Sequence, residues 1–190
     1  MISVHCTITA QMLSRANYLA DFAEFWSARP ETKRIWFSIY TPQRGEIVPE
    51  MVSPAQRIEV VQRLLAIRRY DAKLDMHESA IRALANPPAS PNKCTFARTT
   101  TTLSADLKTR VTPCQFGGDP DCSQCGCVAS AGLHALSEHK LFSTLRVGHL
   151  FDLSFKFGNT ICGRKEIPMV SHTVQPTEAL VTLPPSSGAQ

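Results

Sequence analysis

Residues 2–9 alternate in character. Ile2, Val4, Cys6 and Ile8 fall on one side, and Ser3, His5, Thr7 and Thr9 on the other, the period-two signature of a half-buried strand. The period then lengthens. Tyr18, Phe22, Phe25 and Trp26 share one face of a helix over about 18–28, and Pro30 follows its end. Ile35, Phe37 and Ile39 next alternate with Trp36, Ser38 and Tyr40, which predicts a second strand over 34–41. A Pro- and Gly-bearing loop, 42–52, leads into Ser53-Pro54-Ala55-Gln56. Ser at the N-cap, Pro at the first helical position and Gln at the third satisfy free backbone N–H groups there. The helix is expected to run to about Tyr70 and to bury Ile58, Val61 and Leu65. A shorter helix over 77–86 is closed by Asn86-Pro87-Pro88.

Strand, helix, strand, helix, helix is an order that parallel strands with helical crossovers produce. Two strands alone do not make a stable parallel sheet, and each strand here has a polar or aromatic second face. A polar inner face suits a lumen that holds ligand. The predicted fold class is therefore α/β, with residues 1–90 forming the C-terminal part of a partial TIM-type β/α barrel. On this expectation Ser3, His5, Thr7, Trp36, Ser38 and Tyr40 line the lumen as cofactor or substrate contacts, against the plainer reading of satisfied interior polar groups.

From Cys94 the character changes. Thr- and Val-rich stretches at 95–103 and 107–113, with Ser104-Ala105-Asp106 between them, predict a β-hairpin whose open ends carry Cys94 and Cys114. A Cys-rich loop, 114–127, and a helix over 128–139 follow. Residues 91–140 thus read as a small cluster-binding hairpin, loop and helix, and 141–167 as a C-terminal extension. The Pro- and Ser-rich 168–190 reads as a disordered tail. There is no internal repeat.

Composition narrows the function classes. The 190 residues are 43% hydrophobic and 19% charged, which reads as globular. No run approaches the roughly 20 apolar residues of a membrane span, and no signal peptide opens the chain; a cytoplasmic, membrane-free protein is expected. The net charge of +4 is dispersed, which disfavours a nucleic-acid partner. Seven cysteines change the picture most, because in a reducing compartment thiols persist as metal ligands or reactive groups.

Five of the seven lie within 94–127, as Cys94-x19-Cys114-x7-Cys122-x2-Cys125-x-Cys127. Cys-x-x-Cys lets two thiolates reach one centre from a tight turn, and a hairpin base would bring in a second pair. Thiolates select zinc or iron–sulfur clusters over hard cations. Gly117, Gly118 and Gly126 allow the backbone to wrap a small inorganic core. An iron–sulfur cluster is the leading expectation, with structural zinc as the alternative metal and a redox dithiol at Cys122 and Cys125 behind both. Five candidates for four positions leave one spare.

These residues resemble a family. The segment Thr112-Pro113-Cys114 through Cys122-Ser123-Gln124-Cys125-Gly126-Cys127, with Cys94 ahead of it, is similar to the C-terminal half of radical S-adenosylmethionine enzymes that carry a SPASM- or twitch-like extension. Residues 3–9 and 34–41 resemble that family's fifth and sixth barrel strands, so the likeness covers about residues 1–130. The resemblance implies an auxiliary 4Fe–4S cluster on four of the five cysteines, a small-molecule or peptide substrate, and S-adenosylmethionine only in an intact parent enzyme. The defining Cys-x3-Cys-x2-Cys is absent, so the chain alone is expected not to cleave S-adenosylmethionine. A fragment, or one half of a split enzyme whose N-terminal half is a separate partner, is the corresponding expectation.

The remaining candidates have plainer readings. Arg44 follows the second strand where barrels place ligand loops. Cys6 falls on the apolar face and reads as core, Cys162 reads as a loop thiol, and His134, His139, His149 and His172 lack ligand spacing.

Overall fold

The computed structural model describes residues 1–141 and 145–162; the predicted tail at 168–190 lies outside them. Strand β1 (Ile2–Ile8) pairs in parallel with β2 (Thr32–Ile39), from Ser3 opposite Arg34 to Ile8 opposite Ile39. Parallel neighbours need a crossover. It is supplied by the single-turn helix α1 (Ala10–Leu13) and α2 (Tyr18–Ser27).

Helix α3 (Pro54–Tyr70) then returns the chain to the other edge of β2. There Ile35 N donates to Lys73 O at 2.7 Å, Asp75 N donates to Ile35 O at 3.1 Å, and Leu74 makes a parallel bridge to Ile35. The start of α3 is as the sequence predicts. Ser53 Oγ accepts from Gln56 N at 3.3 Å, and Ser53 N donates to Gln56 Oε1 at 2.9 Å, closing a capping box.

One face of this sheet makes the core. Cys6, Ile8, Ile35, Phe37 and Ile39 pack with Leu19 and Ala23 of α2, with Val60, Val61, Leu64 and Ile67 of α3, and with Leu74. Phe22 meets the Phe37 ring edge-on at 5.6 Å. The buried stripe of α3 is rotated from the expected one. Ile58 is exposed and Leu65 only partly covered, while Arg57, one turn before Val60 and Val61, is buried. On α2, Leu19 and Ala23 are the fully covered positions and Phe25 is exposed.

Burial pushes the Cys6 thiol up to about 11 from its ordinary 9. An acid whose folded pKa is raised favours folding below its unfolded pKa, and that preference is lost as pH rises through the folded value. Stability is therefore expected to fall between about pH 9 and 11. Cys6→Val should flatten that part of the curve in urea melts taken across this range.

The barrel expectation is overturned. Among the described residues the sheets are β1–β2 and a second pair, β3 (Thr102–Leu103) with β4 (Arg110–Val111). A barrel must close its strands on one another, and beyond the Leu74 bridge the chain supplies, apart from the separate β3–β4 pair, helices. These are α4 (Glu78–Ala83), α5 (Thr95–Thr99), α6 (Val128–Ser137) and α7 (Val147–Cys162).

The hairpin is also shorter than predicted, because its first arm begins as α5 and only two residues of each arm pair. Asp106 closes the turn by accepting from Lys108 N and Thr109 N, at 2.9 and 2.8 Å. Cys162, expected in a loop, ends a sixteen-residue helix. No helix among the described residues is long and apolar enough to cross a membrane.

Candidate metal centre

Three short segments carry the five cysteines to one place. Cys94 is the residue before α5, Cys114 follows β4, and Cys122, Cys125 and Cys127 lie on the loop that ends at α6. All five line one cavity, together with Thr41, Pro91, Phe96, Phe116, Pro120 and Ser130. The free space between them is small, about 20 Å³, close to the volume that admits one water molecule. The cysteines therefore meet as the spacing suggests, although Cys94 arrives from a helix start instead of a hairpin end.

The loop is tied to the end of β2. Ile39 N donates to Gly126 O at 2.9 Å, and Gly126 N donates to Thr41 Oγ1 at 2.9 Å. Asp121 N donates to Pro42 O at 2.9 Å, and Arg44 N to Asp119 O at 2.7 Å. Gly117 and Gly118 have φ of +62° and +61°, the left-handed region that glycine enters freely. Gly126 has a different reason to be glycine: a Cβ there would stand 2.0 Å from Ile39 O.

Arg57 anchors the same loop from beneath. Its Nη1 donates to Cys125 O at 2.9 Å and to Leu84 O at 2.8 Å, and its Nη2 donates to Gln124 O at 2.6 Å. Sequence reading missed this residue. Its signal was an arginine at i, with Val60, Val61 and Leu64 at i+3, i+4 and i+7, a charge on the apolar stripe.

The sulfurs already receive donors. Gln115 Nε2 donates to Cys127 Sγ at 3.1 Å and Ser130 N to the same atom at 3.4 Å, at the start of α6. The Cys94 thiol and the Ser130 hydroxyl share a hydrogen bond of 3.2 Å. Hydrogen bonds of this kind orient thiolate ligands and tune the centre they hold.

Burial nevertheless dominates the acidity of the group. It is the first cause that raises Cys114, Cys122, Cys125 and Cys127, and it pushes Cys122 to about 12. Neighbouring thiols add to the rise: Cys125, Cys114 and Cys94 act on Cys122. A redox dithiol needs a lowered pKa at its attacking thiol, so this environment suits a nucleophilic Cys122–Cys125 pair poorly. Metal ligation also needs the thiolate, but there the bound cation takes the proton's place and stabilises the charge in the buried site. Loading with metal is expected to release protons and to weaken progressively as pH falls below the raised thiol range. Base consumed by a pH-stat during titration with metal, repeated at several pH values, measures both.

Among the described residues, no group of three or more His, Cys, Asp or Glu side chains is arranged to hold a metal ion. A tetrahedral zinc with bonds of about 2.3 Å draws its thiolates to within about 3.8 Å of one another. A cluster places them at the corners of a wider core. Either group must draw on the donors that the cavity offers, which are five thiols with the Thr41 and Ser130 hydroxyls beside them.

The predicted lumen residues have other surroundings. Ser3 and Thr7 are exposed on β1, and His5 hydrogen-bonds the Ser38 hydroxyl at 2.8 Å. Ser38 is buried and also accepts from Val128 N at 3.2 Å, so α6 covers this end of β2. Tyr40 donates to Glu46 Oε1 at 2.9 Å. Trp36 lines a separate apolar groove with Met76, Ala80, Val128 and Gly132. Arg44 pairs with Asp119 at 3.3 Å, an exposed ion pair that ties its loop to the cysteine loop.

No family model, no curated protein and no solved structure matches this chain.

Proposed function

We propose that this chain binds an iron–sulfur cluster through four of Cys94, Cys114, Cys122, Cys125 and Cys127. It would serve as the auxiliary-cluster part of a radical S-adenosylmethionine protein, where such a cluster binds substrate or relays an electron. The observation that carries the cluster reading is the meeting of five cysteines from three segments at one cavity, with N–H or O–H groups beside two of the sulfurs.

The family reading rests on the cysteine segment alone. The barrel half of the resemblance has no counterpart in the fold, so the lumen residues carry no part of it. The substrate belongs to a partner or a further segment bearing Cys-x3-Cys-x2-Cys, which these 190 residues lack. A reducing compartment, the cytoplasm, suits the thiols.

When bound, the cluster would supply one-electron chemistry, since four cysteine ligands on a 4Fe–4S core leave no iron open. The chain's own residues fix the loop (Arg57, Thr41), donate to sulfur (Gln115, Ser130) and screen the centre with Pro91, Phe96 and Phe116. Zinc is the second reading, favoured by the narrowness of the cavity.

Colour decides between them. Protein reconstituted without oxygen from iron, sulfide and thiol should turn brown, bleach with dithionite and give an electron paramagnetic resonance signal. A colourless protein that takes up one zinc per chain, and no iron, would overturn the cluster reading.

A further inference from the structure

We infer that the Arg57 guanidinium is a counter-charge to the thiolate centre, which raises that centre's reduction potential while its hydrogen bonds fix the loop. The inference rests on the cluster reading. It begins from an electrostatic imbalance. Arg57 is only 6% exposed, and its hydrogen bonds go to Leu84 O, Gln124 O and Cys125 O, all neutral carbonyls. Among the described residues no carboxylate pairs with it. A buried ion without an opposite charge is costly, and carbonyl dipoles offset only part of that cost.

Among the described residues, the cysteine loop that Arg57 holds can supply the missing negative charge. Cys125, whose carbonyl binds Nη1, also lines the cavity with four further thiols. A core held by four thiolates is anionic, and accepting an electron makes it more so. A fixed cation beside it favours the reduced form, and burial protects that interaction from salt. Arg57 thus acts as a positioning and tuning residue through the loop segment that carries Cys125.

The test uses the full-length protein reconstituted without oxygen. Its one-electron midpoint is measured by dithionite titration with mediator dyes, for the wild type, Arg57→Lys, Arg57→Gln and a variant with citrulline at position 57. Citrulline is nearly the shape of arginine and carries no charge; it keeps Nε–H and one NH2 while an oxygen replaces the other Nη, so it guards against a Gln variant that fails to fold better than a shorter side chain would. The expected result is a more negative midpoint for citrulline and Gln, at iron content equal to wild type for citrulline. Lys should restore the midpoint to near the wild-type value. A citrulline variant that holds its iron at the wild-type midpoint would overturn the counter-charge while leaving the cluster reading intact. A wild type that binds no iron would end the cluster reading itself.

Discussion

Gly126→Ala is expected to unfold the cysteine loop. The added Cβ would stand 2.0 Å from Ile39 O and 2.4 Å from its carbonyl carbon, both backbone atoms of the central strand. A flexible side chain could move aside, but a strand carbonyl flanked by Ile8 and Phe37 in the core cannot. To relieve the overlap, the loop must lift and break the Ile39 N to Gly126 O and Gly126 N to Thr41 Oγ1 bonds. Overpacking with lost hydrogen bonds costs on the order of 3 kcal/mol or more. Chemical melts should show that loss, together with failure to retain metal. Gly132→Ala is the control, since nothing lies within 4 Å of a Cβ there.

Serine substitutions through the five cysteines should divide four against one. Losing a ligand is expected to cut retained iron by more than about 100-fold under chelator challenge, beyond the roughly 10–100-fold range typical of groups that only support a ligand. The spare cysteine should tolerate serine with unchanged iron and colour. Cys6→Ser is a further control, because Cys6 packs in the core beside Ile8 and Phe37, away from the five. Iron per chain after desalting, with the visible spectrum, gives the pattern. Five equally tolerant positions would mean that the thiols do not ligate.

The sequence made the local elements legible where one pattern dominated. Strict alternation at 2–9 and the capping box at Ser53 each depend on neighbours close in sequence, and both strand and cap formed as expected. The barrel did not follow, because a polar strand face has two uses. Instead of lining a lumen, Ser38 serves the start of α6 and His5 serves Ser38.

The hairpin misled for a similar reason. Thr-rich residues favour strands, yet 95–99 form one helical turn directly after Cys94. Thr99 and Thr100 bond the carbonyls of Thr95 and Phe96 there. The convergence of the cysteines was readable from spacing. The burial of Arg57 was not, because its carbonyl partners lie 27, 67 and 68 residues away.

The most direct measurement is iron and acid-labile sulfide per chain after oxygen-free reconstitution and desalting. A cluster on these cysteines gives iron and sulfide in equal, near-integral amounts that survive gel filtration with the protein. Neither element above background, in protein whose circular dichroism shows it folded, would contradict the cluster.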